Sequence, residues 1–180
     1  MRIIPEETIA LTIDMQEKLV PAMNESQKCV DNVLLLMNGL NELGIPQIIS
    51  QQYTKGLGMS IPEVYEALGN EDYFDKSTFS CYKNEAIKAF IDGSGKKNII
   101  ISGIEAHICV LQTCIDLKEA GYQPILITDA ISSRDPINKE NAVIRAQQEG
   151  VLISCTESIL YELLIDSKAP AFRAISKLVK

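Results

Sequence analysis

Short runs of apolar, β-branched residues alternate along the chain with longer stretches in which apolar positions recur every three or four residues. The runs are Thr8-Ile9-Ala10-Leu11-Thr12-Ile13, Pro46-Gln47-Ile48-Ile49-Ser50, Asn98-Ile99-Ile100-Ile101-Ser102, Pro124-Ile125-Leu126-Ile127-Thr128 and Val151-Leu152-Ile153. Each is too short for a helix and almost wholly apolar, which predicts strands buried on both faces. Between them, Val30, Val33, Leu34, Met37, Leu40 and Leu43 keep helical spacing up to Gly44. Further helices are predicted over 84–92, 107–120 and 138–149. Gly121 and Gly150 stand in the stop positions, and Asp135-Pro136 reads as an N-cap followed by proline at the first helical position.

Strand–helix–strand alternation implies right-handed crossovers and helices on both faces of a sheet. The expected fold is therefore α/β: a three-layer α/β/α Rossmann-like sandwich around a central, mostly parallel sheet of five or six strands. Residues 1–180 read as one domain, with no repeat, linker or low-complexity stretch. Ligands in such folds sit at the carboxyl ends of the strands, near the switch point. That rule selects Asp14, the loop from Gln51 to Gly58, the loop after Ser102 and the loop after Asp129. The longest irregular section, about 51–82, is expected to be an insertion over the site. Phe172, Ile175, Leu178 and Val179 outline a short amphipathic helix that docks on the body or on another subunit.

Composition narrows the picture. Apolar residues make up 46% and charged residues 23% of the chain, an ordinary globular balance. No window carries the roughly 18 apolar residues of a membrane helix. Glu6, Glu7 and Asp14 interrupt the N-terminal segment, so it lacks a signal-peptide core and a cytoplasmic location is expected. A net charge of −7 with scattered lysines and arginines argues against nucleic acid as a partner. The five cysteines show no CxxC pair and the chain has one histidine, His107, so neither a disulfide framework nor a multi-histidine metal site is expected.

Three places carry candidate chemistry. The segment Ser102-Gly103-Ile104-Glu105-Ala106-His107-Ile108-Cys109-Val110 runs from a buried strand into a helix start. Unpaired amides there favour a thiolate at Cys109 and could hold an oxyanion formed by its attack on a carbonyl. A free cysteine in a first turn is also a common packing residue, so position alone leaves both readings open. Asp14, directly after the first strand, could act as a general base or cap a turn. Lys76, between Phe74 and Phe79, could stabilise a thiolate or lie solvated in a loop.

Taken together and in order, these segments resemble the isochorismatase-like cysteine hydrolases. An Asp closes strand one, a Lys sits in a K-x-x-F-S segment, and a G-I-E-A-x-x-C-V turn follows. Thr128-Asp129-Ala130-Ile131-Ser132-Ser133-Arg134 is similar to that family's D-A-x-x-S-R stretch. The resemblance runs from about residue 8 to 165. It implies a catalytic triad of Asp14, Lys76 and Cys109: a base, a charge stabiliser and a nucleophile that forms a covalent thioester-type intermediate. It further implies a cis peptide at Ile104-Glu105, with the amides of Glu105 and Cys109 forming an oxyanion hole.

Departures from the family pattern are informative. Nicotinamidase members carry an Asp-x-His metal motif after strand two, whereas this chain has Gln51-Gln52-Tyr53-Thr54-Lys55-Gly56-Leu57-Gly58 there. That string is more similar to the poorly characterised isochorismatase-domain subgroup, and no metal or other cofactor is expected. His107 lies two residues before the cysteine, off its helix face, and reads as a turn or capping residue that could line the pocket. Pocket walls are expected from Met15, Gln16, Tyr53, Leu57, Phe79, His107 and Ile131. The implied activity is hydrolysis of a small amide, carbamoyl or ester-like compound. Vinyl-ether hydrolysis of the isochorismatase type, or a non-catalytic redox-responsive or assembly role, are the alternatives. The resemblance also implies a homo-oligomer.

Overall fold

A computed structural model describes all 180 residues. Six strands form one wholly parallel sheet: β1 (Thr8–Ile13), β2 (Gln47–Gln52), β3 (Phe74–Lys76), β4 (Asn98–Ile104), β5 (Gln123–Ser132) and β6 (Leu152–Ser154). Their order is β3-β2-β1-β4-β5-β6, so the chain winds outward from β1 in one direction and then crosses over to β4 to wind in the other. The switch point lies between β1 and β4.

Eight helices accompany the sheet: α1 (Ser26–Glu42), α2 (Thr54–Leu57), α3 (Pro62–Leu68), α4 (Glu85–Gly93), α5 (Leu111–Glu119), α6 (Pro136–Gln148), α7 (Thr156–Leu164) and α8 (Phe172–Leu178). Alternation along each strand assigns side chains to the two faces. Ile9, Leu11 and Ile13 of β1, with Ile99 and Ile101 of β4, pack under α4, α5 and α6. Ala10 of β1 and Ile100 and Ile104 of β4 pack against the layer of α1, α3, α7 and α8. All six residues of β1 and all seven of β4 are buried, which is why these strands read as unbroken apolar runs.

Several boundaries differ from the sequence expectation for local reasons. The section 51–82 is not a structureless insertion, because it contains α2, α3 and the edge strand β3. β3 has only three residues and a mixed composition, so no apolar run announces it; pairing of Ser50, Gln51 and Gln52 with Phe74, Asp75 and Lys76 creates it. α1 starts at Ser26, four residues ahead of its apolar stripe, after Glu25 in a left-handed conformation with no side-chain cap. α7 was not anticipated, although Ile159, Leu160, Leu163 and Leu164 bury it on α1. The C-terminal helix docks on the body, with Ile175 fully buried. No helix is long and apolar enough to cross a membrane.

One close approach shapes the site. Gly103 has φ +108°, and a Cβ there would sit 2.1 Å from the carbonyl oxygen of Ile13. Only glycine lets the end of β4 press this tightly on the end of β1. The turn that follows β4 is thereby drawn over the carboxyl end of β1.

Candidate active site

Four strand ends meet at the switch point. Asp14 leaves β1 in a left-handed conformation at φ +54°, unusual for a non-glycine residue, with its backbone N–H donating to the Ser50 carbonyl at 3.1 Å. Its carboxylate accepts from Ser50 Oγ at 2.8 Å through Oδ1 and from Lys76 Nζ at 2.8 Å through Oδ2. Lys76 closes β3, and its side chain is 0% exposed against 1% for Asp14. A lysine at the end of a three-residue edge strand would ordinarily reach solvent. Here its ammonium also donates to Gln52 Oε1 at 2.6 Å and to the carbonyls of Phe79 and Thr78 at 3.2 and 3.3 Å.

Cys109 arrives from the other side of the switch. After the cis peptide Ile104–Glu105, residues Ala106–Val110 form a widened π-helical turn that leads into α5. Such turns recur at functional sites because they displace one residue from the regular helical register. Cys109 is 6% exposed, and its thiol stands 4.0 Å from Gln52 Oε1, the same oxygen that Lys76 holds. Its backbone carbonyl accepts from Thr113 Oγ1 at 2.6 Å, and Thr113 in turn accepts from the N–H of Cys81 at 2.9 Å.

The electrostatics differ from what a helix start alone would suggest. Burial first, and then the Asp14 carboxylate, push the Cys109 thiol well above the ordinary cysteine range, against an opposing pull from Lys76. Raised in this way, the thiol favours its protonated form, with the Asp14 carboxylate among the charges that act on it. Burial works against the Lys76 ammonium, but Cys81, Asp14 and Cys109 together hold its pKa above that of an ordinary lysine. Burial likewise drives the fully enclosed Cys81 thiol up to about 11.

The turn that carries Cys109 is fastened to the loop after β5. Glu105 accepts from both the backbone N–H and Nε of Arg134, each at 3.1 Å, and His107 Nδ1 hydrogen-bonds Ser133 Oγ at 2.9 Å. The N–H of Glu105 donates to no backbone acceptor.

Asp14, Lys76 and Cys109 thus come together, and the expected wall residues distribute unevenly around them. Tyr53 and Phe79 are 56% and 55% exposed, Phe79 lining a shallow surface pocket with Lys83, Gln112 and Asp116, Leu57 is half-buried in α2, and Met15 is buried in the core. Gln16 is wholly enclosed: its carboxamide accepts from the N–H of Gln52 at 2.7 Å and donates to the carbonyls of Gln52 and Gly58 at 3.0 and 2.7 Å. Its polar atoms are spent on backbone, not turned toward a ligand. Ile131, buried on β5 opposite Gly103, lines a separate groove of about 610 Å³ between the starts of α1 and α6. None of Asp14, Lys76 or Cys109 belongs to that groove. Sequence reasoning missed Ser50, Gln52 and Cys81. Ser50 and Gln52 lie beside and in the loop from Gln51 to Gly58, and Cys81 lies at the end of the 51–82 section, but nothing in their residue type marks them.

The six-stranded parallel sheet with helices on both faces, at whose switch point Asp14, Lys76 and Cys109 gather, is the α/β fold of isochorismatase-like proteins. The chain belongs to the isochorismatase family, its residues 8–158 matching the isochorismatase domain. It is 33% identical over 178 residues to isochorismatase domain-containing protein 1 of Salmo salar, covering 99% of this chain and 62% of that protein. The chain therefore spans under two thirds of that relative's length. It is 35% identical over 181 residues to isochorismatase domain-containing protein 2 of Danio rerio, covering 99% of this chain and 89% of the relative. Among solved structures, one described as MAR1 ribonuclease from Caenorhabditis elegans superposes with a TM-score of 0.93 at 32% identity, over 99% of this chain and 92% of that one. Members of the family are generally hydrolases.

Proposed function

We propose that the protein is a cysteine hydrolase that cleaves a small amide, carbamoyl or ester-like compound using only its own side chains, with Cys109 as nucleophile, Asp14 as base and Lys76 as charge stabiliser. The observation that carries this reading is the fully buried Lys76–Asp14 pair at 2.8 Å, set against a protonated thiol. Burying two opposite charges is rarely the most stable choice for a core, since apolar replacements of similar volume are often as good or better. Placed beside a nucleophile, the same pair has a chemical use.

In this mechanism Asp14 accepts the Cys109 proton while the sulfur attacks the carbonyl carbon. The carbonyl π-electrons move to oxygen, and the resulting oxyanion is met by the amides of Glu105 and Cys109. Collapse expels the amine or alcohol, which takes the proton from Asp14, and leaves a thioester on Cys109. Asp14 then removes a proton from water as its oxygen attacks the thioester, and the carboxylic acid departs as the thiol regains that proton. In this reading exposed Tyr53 and Phe79, with half-buried His107 and Leu57, form the partly apolar approach by which a small substrate reaches Cys109.

The ribonuclease name borne by the worm relative suggests RNA as a second substrate class. A net charge of −7 is a poor footprint for a polyanion, and the small-molecule reading is preferred. The test is a screen of small amides, carbamoyl compounds and esters, with a short RNA included, comparing wild type and Cys109→Ala. Turnover of a small acyl compound by wild type alone supports the proposal. Equal turnover by the two proteins, or cleavage of RNA alone, overturns it. Assembly into a homo-oligomer is part of the same reading, and a monomeric mass by light scattering would remove it.

A further inference from the structure

An ammonium has three protons to donate. On Lys76 one goes to Asp14, one to Gln52 Oε1, and the third is shared by the Phe79 and Thr78 carbonyls. All three are thus engaged, and none is left for the sulfur that the lysine is meant to stabilise. Gln52 Oε1 lies on both sides of this arrangement, 2.6 Å from the ammonium and 4.0 Å from Cys109 Sγ.

The carboxamide is held in place. Gln52 Nε2 donates to the Ser77 carbonyl at 2.9 Å, and both backbone polar groups of Gln52 are bound by the enclosed side chain of Gln16. Its oxygen therefore keeps facing the site. Toward a neutral thiol that oxygen is an acceptor; toward a thiolate it is the negative end of a dipole facing a negative charge. Loss of the thiol proton makes the sulfur the better acceptor for the lysine.

We propose that Gln52 is a positioning residue acting through Lys76: its carboxamide oxygen holds one ammonium proton away from Cys109 in the resting protein and yields that proton's hydrogen bond to the sulfur once Asp14 has taken the thiol proton. The assignment rests on the reading of Cys109 as the nucleophile. No proton leaves the lysine in this step; only its acceptor changes. The charged or titratable groups facing the thiol are Asp14, Lys76 and Cys81. Nearby Glu105 is bound to Arg134, His107 to Ser133, and Asp75 to Thr54.

Two substitutions should shift the thiol in opposite directions. Gln52→Leu removes the acceptor, so a Lys76 proton is unsatisfied beside the thiol and satisfied beside the thiolate, which favours the thiolate. Gln52→Glu adds a negative charge near the sulfur and grips the lysine harder, which disfavours it. The experiment follows iodoacetamide labelling of Cys109 in the full chain by peptide mass spectrometry across about pH 6 to 10, a range that flanks the ordinary thiol pKa. Thiolate fraction changes about tenfold per unit of pKa shift, partly offset by lower intrinsic nucleophilicity. Labelling is expected several-fold faster in Gln52→Leu and several-fold slower in Gln52→Glu than in wild type at the same pH. Rates that fall in both variants, or change in neither, overturn the proposal, because a purely structural role has no sign reversal. Circular dichroism checks folding, and unbranched Gln52→Met replaces the leucine variant if that one is misfolded. Turnover of a small acyl substrate that survives Cys109→Ala would instead sink the nucleophile reading on which the inference rests.

Discussion

Replacing Lys76 by Met, Asp14 by Asn, and both together, turns the buried ion pair into a measurable quantity. Both side chains are sealed from solvent, so the pair's interaction is not diluted by water as a surface pair's would be. Lys76→Met leaves Asp14 with the Ser50 hydroxyl as its remaining side-chain hydrogen-bond donor in the protein, and Asp14→Asn leaves a buried ammonium facing a neutral amide. Removing one partner of such a pair costs about 3–5 kcal/mol. That is a large share of the roughly 5–15 kcal/mol of a typical domain, yet compatible with a folded variant. The double variant carries no orphaned charge, so its loss should fall well short of the sum, giving a coupling energy of at least about 2 kcal/mol. Urea titrations followed by circular dichroism supply the three differences.

The pH dependence has a definite sign. Native Lys76 has a raised pKa, while an unfolded lysine titrates near 10.4, so its stabilising contribution is complete below about pH 10 and is lost as pH climbs through the native value. In Asp14→Asn burial acts without the neighbouring carboxylate, so the native Lys76 pKa moves down from its wild-type value. The raised Cys81 and Cys109 thiols make the stability of both proteins fall as pH rises above the unfolded thiol pKa of about 8.5, but the stability gap between the variant and wild type should narrow toward about pH 10 as the variant's lysine sheds its proton. A coupling energy under about 1 kcal/mol, or a gap between variant and wild type that does not narrow over that range, would refute the claim that the charges are paired within a dry site.

Gly103→Ala should abolish soluble folded protein, because its Cβ would overlap the Ile13 backbone at 2.1 Å and neither strand can retreat without parting the sheet; recovery of wild-type yield with an unchanged melt would contradict this close approach. Thr113→Val should cost about 1–3 kcal/mol by stranding the Cys81 amide and removing the bond to the Cys109 carbonyl, read as a lowered melting temperature.

The outline of the fold was legible from local pattern. β1 and β4 are buried on both faces at the centre of the sheet, so their apolar character is nearly pure and their limits fall within two residues of those read from sequence. α4 and α6 likewise begin at caps, Asn84 and Asp135, whose side chains bind the first-turn amides, and Asp135, followed by Pro136, is legible as a cap from sequence. β3 was not legible. Three residues give no periodicity, and their strand conformation follows from pairing with β2.

The candidate site divides along the same line. Residue types and order singled out Asp14, Lys76 and Cys109 from the sequence, through a resemblance that needed no coordinates. Tertiary structure alone decided what surrounds them. It enclosed Lys76, whose place between Phe74 and Phe79 is equally compatible with a solvated loop, by giving its ammonium Asp14, Gln52 and two carbonyls as acceptors. It spent Gln16 on the backbone, set Ile131 in a different groove, and brought in Gln52 from 57 residues away along the chain. A helix start favours a thiolate through local backbone dipoles, which sequence can indicate. Burial and a neighbouring carboxylate reverse that preference at Cys109, and both arise from contacts between segments remote in the chain, which no local pattern encodes.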